Sequence, residues 1–76
     1  MRPPRAMIER AVKAAQIYHG SQGAPLKYQQ KLYERMERAA QSVAKKVGMD
    51  FNNALDQITQ EALRRGNITA MPGKHY

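Results

Sequence analysis

The 76-residue chain contains no cysteine and no tryptophan, and it has few acidic side chains. Without cysteine it has no disulfide, no thiolate nucleophile and no cysteine-based zinc site. No apolar run approaches the roughly 18 residues that a membrane span needs. The charged residues Glu9, Arg10 and Lys13 interrupt the stretch in which a signal peptide would be continuously apolar. We therefore expect a cytoplasmic protein without a membrane span.

The sequence also lacks a recognisable set of catalytic residues. A chain this short buries only about 60% of the surface it exposes when unfolded, which leaves one thin core and no room for a deep cleft. Nucleophile-elbow, phosphate-loop and zinc-protease motifs do not occur. His19 and His75 are the only histidines, and neither has a metal ligand at helical spacing, so we expect His19 at the edge of the core. These absences predict a protein that is not an enzyme and that holds no metal or cofactor.

Glycine and proline divide the chain into three stretches with helical periodicity. Gly20, Gly48 and Gly66 stand where helices would end, and residues 20–25 are typical of a connector. The predicted helices cover residues 4–19, 25–47 and 51–65. We expect one all-α domain over 1–76: a small three-helix fold with a long central helix and a tight turn at Gly48 before the last helix. We expect residues 1–3 to be a mobile N-terminal arm and the tail 67–76, which lacks periodicity, to be extended or mobile.

Each predicted helix has an apolar face. In the first helix Ile17 falls among polar residues, either as an ordinary exposed side chain or as part of a second contact surface. Asp50 is a good N-cap for the third helix, whose inward residues are Phe51, Ala54, Leu55, Ile58 and Ala62. Three tyrosines, Tyr18, Tyr28 and Tyr33, fill a tryptophan-free core on the favoured interpretation and stack nucleic-acid bases on the alternative.

The positive charge is concentrated in the first two helices and the arm. Residues 1–47 hold ten basic and three acidic side chains, whereas residues 48–76 hold three of each, and the whole net charge is +7. On the second helix one line of side chains, which we call the basic stripe, contains no acid: Lys27, Lys31, Arg35, Arg38 and Lys45, with Lys46 beside it. A stripe of one sign along a helix can follow a phosphate backbone, although lysine and arginine also serve as an ordinary solvated face. The opposite flank carries Glu34 and Glu37.

The turn at Gly48 resembles that of a helix-turn-helix, with residues 51–65 in the recognition position. Leu55 and Ile58 come about one residue later than the usual spacing. Residues 43–68, including GMDFNNALDQITQEALRRGNI, also resemble the turn and second helix of ribbon-helix-helix (Arc/MetJ-like) repressors. That family places a short strand before its first helix, and residues 24–29 have poor strand propensity here, so no base-contacting residue is carried over from the family. The resemblance implies DNA binding.

We therefore expect a DNA-binding regulator or accessory factor that contacts phosphates, with DNA favoured over RNA. Its nucleic-acid-binding residues are Arg2, Arg5, Lys27, Lys31, Arg35, Arg38, Lys45 and Lys46. The amides Asn52, Asn53, Gln57 and Gln60 are chemically able to read bases, but glutamine is also common on helix surfaces without a specific role. The alternative is a non-enzymatic interaction protein, an inhibitor or adaptor, that docks its basic face on an acidic protein. The wide apolar face of the second helix also suits a homodimer.

Overall fold

A computed structural model describes residues 5–73 of the chain, which form three α-helices joined by short loops. They are α1 (Arg5–His19), α2 (Leu26–Val47) and α3 (Phe51–Arg65). The described part contains no strand, and the prediction of an all-α fold with a long central helix is confirmed. The third helix has the predicted bounds, whereas α2 begins one residue later than predicted because Pro25 keeps an extended backbone, with φ −57° and ψ 148°. Arg2, the arm 1–3 and His75 lie outside the described residues.

The predicted turn at Gly48 ends α2 in a left-handed conformation. Gly48 has φ 72° and ψ 33°, a region that glycine occupies without the steric penalty of a Cβ atom. The backbone N–H groups of Gly48 and Met49 both donate to the carbonyl oxygen of Ala44, the latter at 2.9 Å. These bonds satisfy a carbonyl that the helix end would leave unpaired, and α3 begins only three residues beyond the glycine.

Asp50 is the N-cap of α3, as its position in the sequence predicts. Its Oδ2 atom accepts hydrogen bonds from the backbone N–H groups of Asn52 at 3.0 Å and Asn53 at 3.3 Å. The carboxylate thereby satisfies two donors that the first turn of a helix leaves without partners, and its charge suits the positive end of the helix dipole. The start of α3 is therefore fixed by a local interaction.

The three helices enclose a core that is built largely from alanine. Ala11 and Ala15 of α1, Ala40 of α2 and Ala62 of α3 are completely buried. A methyl side chain lets neighbouring helices approach closely, so the axes lie near one another and little apolar area is buried by each residue. The larger members of this core are Val12, Met36, Val43 and Ile58, with Phe51 and Leu55 packed at its edge.

Of the two interpretations for Ile17, the ordinary exposed side chain is wrong. Ile17 is only 4% exposed and packs with Leu32 and Ala70 in a second, smaller apolar cluster. This cluster exists because the chain beyond α3 returns to the end of α1 and covers the side of the helix that carries Ile17. The other interpretation is confirmed, because Ile17 belongs to a second contact surface.

The segment after α3 is anchored to the domain, although the sequence predicts an extended or mobile tail. Ile68 donates its backbone N–H to the carbonyl oxygen of Gln16 at 3.1 Å, and Ala70 donates to that of Gly20 at 3.1 Å. The side-chain amide of Gln16 donates in return to the carbonyl oxygen of Gly66 at 2.8 Å. These bonds, together with the fully buried Ala70, hold residues 67–70 against the end of α1. Residues 74–76 of the predicted tail lie outside the described part of the chain.

Candidate nucleic-acid interface

The basic stripe lies on the surface of α2. Its members Lys27, Lys31, Arg35, Arg38 and Lys45 are exposed, as is the adjacent Lys46. Arg5, the other predicted contact residue that the structure describes, is exposed in the first turn of α1. Lys27 and Lys45 lie 18 positions apart, which gives the stripe a length of about 27 Å at 1.5 Å per residue.

A groove between α1 and α2 brings two members of the stripe together with an arginine of α1. This arginine groove is lined by Arg10 and Ala14 of α1 and by Arg35, Arg38, Ala39 and Ser42 of α2. Ala14 is buried, and alanine side chains let neighbouring helices approach closely, so arginines of both helices line one groove. Arginines that line one groove suit an anion with several acceptor oxygens, because each guanidinium group presents a planar set of N–H donors.

Arg10 was not among the residues that the sequence predicts for the site. Its helical angle places it on the polar side of the first helix, and the sequence does not tell which shoulder of that helix faces α2. One signal was present, because Arg10 precedes the small residue Ala14 by four positions and therefore borders the face of α1 that packs. Only the pairing of the two helices shows that this border meets the basic shoulder of α2.

Two acidic side chains, Glu9 of α1 and Glu61 of α3, are held together by arginines of α3, and neither lines the arginine groove. Arg65 of α3 donates to both carboxylate oxygens of Glu9, at 2.7 and 3.0 Å, and its Nε atom donates to Glu61 at 2.8 Å. Arg64 also pairs with Glu61. Hydrogen bonding from Arg65 lowers the pKa of Glu9, and hydrogen bonding from Arg64 and Arg65 lowers the pKa of Glu61. The same bonds, chiefly the one with Glu9, raise the pKa of Arg65, so all these groups stay ionised near neutral pH.

The remaining acids are also directed elsewhere. Asp50 caps α3, and Asp56 accepts a hydrogen bond from the side chain of Gln60 at 3.0 Å. Glu34 and Glu37 line a different groove, beside Tyr18 and Tyr33. No carboxylate therefore belongs to the arginine groove as the described residues form it.

The acid and base pairs that four-residue spacing suggests form only in part. Glu61 and Arg65 make such an ion pair, whereas Glu9 pairs with Arg65 of another helix and not with Lys13. The Nε atom of Arg38 donates to the backbone carbonyl oxygen of Glu34, at 3.4 Å, and not to its carboxylate. Arg38 therefore makes no ion pair with the described residues, which leaves its charge available to an external anion.

The amide side chains that could read bases are spread over α3. Asn52, Asn53, Gln57 and Gln60 are all exposed, but the amide of Gln60 is already bonded to Asp56. Gln57 borders an apolar groove that also contains Arg64 and Arg65 of its own helix. The lining of the arginine groove comes from α1 and α2 alone, so the structure does not bring these amides and the converging arginines into one groove.

Two of the three tyrosines form a ring pair. The centroids of Tyr18 and Tyr33 are 5.1 Å apart, with the ring planes at 58°. Tyr18 and Tyr28 pack against the smaller apolar cluster, whereas Tyr33 is 37% exposed. Core packing thus accounts for two tyrosines, and the ring of Tyr33 is left partly open at the surface.

The described residues contain no cluster of histidine, cysteine or acidic side chains that could hold a metal ion. His19 is half-buried at the end of α1, in edge contact with the ring of Tyr18, which agrees with its expected place at the edge of the core. None of the described helices is long and apolar enough to cross a membrane.

Comparisons of the chain with protein-family models, with curated proteins and with solved structures found no match. Function therefore has to be inferred from the site itself.

Proposed function

We propose that this protein is a small non-enzymatic nucleic-acid-binding domain that contacts phosphate groups through the basic stripe and the arginine groove. One observation carries the proposal: Arg10, Arg35 and Arg38 line a single groove to which no carboxylate of the described residues contributes. If the positive charge served only solubility, there would be no need for arginines of two helices to line the same groove. Guanidinium groups at one opening match the acceptor oxygens of a phosphate.

The dimensions of the stripe support a nucleic-acid backbone as the ligand. At 3.4 Å per nucleotide along one strand, about 27 Å corresponds to about eight nucleotides. The lysines at either end of the stripe supply further positive charge to phosphates on both sides of the groove. Such contacts position a protein on DNA without reading its sequence, so binding is expected to be strong at low salt and indifferent to sequence.

We further propose DNA rather than RNA as the nucleic acid and a regulatory or accessory role. The support is the resemblance of residues 43–68 to the ribbon-helix-helix and helix-turn-helix motifs. Base reading by α3 would fall to Asn52, Asn53 and Gln57, since Gln60 is engaged with Asp56. Asp56 and Glu61 on the same helix would oppose phosphates beside a groove, so we assign the larger part of the affinity to α1 and α2.

A second candidate is an inhibitor or adaptor that docks the basic face on an acidic protein. The exposure of two leucines favours it, because Leu26 is 77% and Leu63 is 60% exposed. Apolar side chains of this size contribute to protein interfaces and add nothing to phosphate contacts. Carboxylates fit the arginine groove as phosphates do.

The two candidates differ in their response to generic DNA. We expect a labelled duplex of unrelated sequence to bind in fluorescence anisotropy, with an affinity that falls by about 10³-fold or more between about 50 and 200 mM salt if at least six phosphates are contacted. A K31E/R35E/R38E variant with unchanged helicity should not bind. Absence of binding at about 50 mM salt would overturn the DNA proposal and leave the acidic protein as the partner. A single strand measured in parallel shows whether duplex geometry matters.

A further inference from the structure

We infer that copies of this chain associate head to tail, with the acidic groove beside Tyr18 and Tyr33 of one copy against the Lys45–Lys46 end of α2 in the next. Lys45 and Lys46 belong both to the predicted phosphate contacts and to the surface used here, but the inference does not rest on nucleic-acid binding, because its test uses no nucleic acid.

The acidic groove combines charge with exposed apolar surface. It lies between the end of α1 and the first half of α2, and its lining includes the carboxylates of Glu34 and Glu37 and the partly open ring of Tyr33. At its edge Leu26 is 77% exposed, the most exposed large apolar side chain of the described residues. An exposed leucine beside two carboxylates fits a surface that is both basic and apolar.

The opposite end of α2 offers such a surface. Lys45 and Lys46 are exposed in its last turn. A shallow groove beside the Gly48 turn is lined by Lys45 together with the half-buried Met49 and Phe51. Basic and apolar groups therefore stand side by side here, as acidic and apolar groups do at the other end. The two ends are complementary in charge, and each carries apolar surface.

One copy cannot bring its own two surfaces together. The 22 residues of α2 span about 33 Å at 1.5 Å per residue. The domain measures 37 × 21 × 19 Å, so α2 must run along its longest dimension. Leu26 and Lys45 lie 19 residues apart on this rigid helix, which separates them by about 28 Å along its axis. Contact between the two surfaces therefore requires a second copy, and head-to-tail contact whose rotation does not close on itself gives an open chain of copies.

A second copy explains the acidic groove better than a nucleobase does. A base stacked on Tyr33 would bring its phosphate near Glu34 and Glu37, and like charges repel. The net charge of +7 makes copies repel one another at long range, but the Debye length of about 8 Å at physiological salt screens that repulsion while leaving contacting charges effective.

A charge-swap experiment tests this arrangement without nucleic acid. One variant, E34K/E37K, makes the acidic groove basic, and the other, K45E/K46E, makes the basic end acidic. Self-association is measured at about 150 mM salt, up to about 1 mM protein, by sedimentation and by concentration-dependent amide NMR shifts. We expect each variant alone to associate at least about tenfold more weakly than the unaltered chain, and an equimolar mixture of the two to recover the original association. The native basic end of E34K/E37K then meets the native acidic groove of K45E/K46E, and the two altered surfaces are complementary to each other.

The net charges make the test specific. The two variants have net charges of +11 and +3, against +7 for the unaltered chain. If general repulsion controlled association, K45E/K46E would associate more strongly than the unaltered chain, whereas head-to-tail contact requires it to associate more weakly. Circular dichroism of each variant verifies folding, and Leu26→Ala, which changes no charge, should also weaken association.

Three results would overturn the inference. The first is a chain that stays monomeric to about 1 mM. The second is a mixture of variants that associates no better than either alone. The third is a concentration-dependent set of shifts confined to one end of α2, which would indicate a symmetric dimer. Failure of DNA binding would affect none of these measurements.

Discussion

Arg65, in the last turn of α3, holds Glu9 of α1 through two parallel hydrogen bonds of 2.7 and 3.0 Å. The same guanidinium also binds Glu61 on its own helix, so one arginine joins two helices and pairs with two of the six acidic side chains of the chain. This arrangement has two consequences. It closes α3 against α1 at the surface, and it keeps two negative charges beside arginines of their own instead of beside the basic face of α2.

The paired carboxylates predict a dependence of stability on pH. Because their pKa values are lowered from the usual 4.5 in the folded protein, Glu9 and Glu61 contribute stability above that pH and lose the contribution as the pH falls through the lowered values. We expect the melting temperature to drop as the pH is lowered from about 5 to about 2, and the E9Q/E61Q variant to drop less over this range. Glu37→Gln serves as the control, since Glu37 makes no ion pair with the described residues. An E9Q/E61Q profile parallel to that of the unaltered chain would contradict the prediction.

Gly20 and Gly23 provide a matched pair for testing the anchored tail. A Cβ atom at Gly20 would lie 1.9 Å from the carbonyl oxygen of Ile68, whereas one at Gly23 would meet no atom within 4 Å. Neither glycine has a positive φ, so an alanine at either site has no strained backbone. The two substitutions are therefore compared by the steric contact that the new methyl group makes. We expect Gly20→Ala to lower the free energy of unfolding by about 1–3 kcal/mol, as overpacking does, or to detach residues 67–70.

Gly23→Ala should leave stability unchanged or raise it by up to about 1 kcal/mol. Urea denaturation measures both variants, and hydrogen exchange at the Ala70 amide reports whether the tail is still bound to Gly20. Equal effects of the two substitutions would show that the tail does not approach Gly20 closely.

The cap of α3 predicts a local loss of stability. Asp50→Ala removes the acceptor of two backbone N–H groups and should cost about 1 kcal/mol of unfolding free energy, while Asp50→Asn should retain most of the stability. Asp56→Ala makes the same substitution within the same helix at an exposed position, where we expect a change within about 0.5 kcal/mol. Urea denaturation that showed equal losses for Asp50→Ala and Asp56→Ala would contradict the capping role.

Helix ends were predictable from the sequence because their causes are local. Gly48 ends α2 through its own left-handed conformation, and Asp50 begins α3 through bonds to residues two and three positions later. The burial of Ile17 and the anchoring of the tail were not predictable in this way. They depend on residues about fifty positions apart, and the segment that covers Ile17 has no periodicity that would indicate packing.

The candidate site shows the same difference between features with local causes and features that depend on packing. The basic stripe follows from helical spacing within α2 and was predicted with its members. Arg10 lies beside the basic stripe only because α1 packs on α2 with the side that carries Arg10 next to Arg35 and Arg38. This contact depends on how the two helices pack and not on the sequence of either helix alone. Likewise, Glu9 pairs with Arg65 of α3 and not with Lys13, which is four positions later in its own helix, because a cross-helix partner with two donors reaches the carboxylate.

The most direct test of phosphate binding compares two variants of equal net charge. R10Q/R38Q removes two arginines of the groove, and K13Q/R64Q removes two exposed cations outside it, so each has a net charge of +5. Duplex affinity is measured by anisotropy across about 50 to 200 mM salt, where each lost phosphate contact lowers the slope of log affinity against log salt by about 0.9. We predict that the slope decreases by about 2 for R10Q/R38Q and stays unchanged for K13Q/R64Q. Equal slopes for the two variants would contradict the proposal, since the arginine groove would then contribute only its charge.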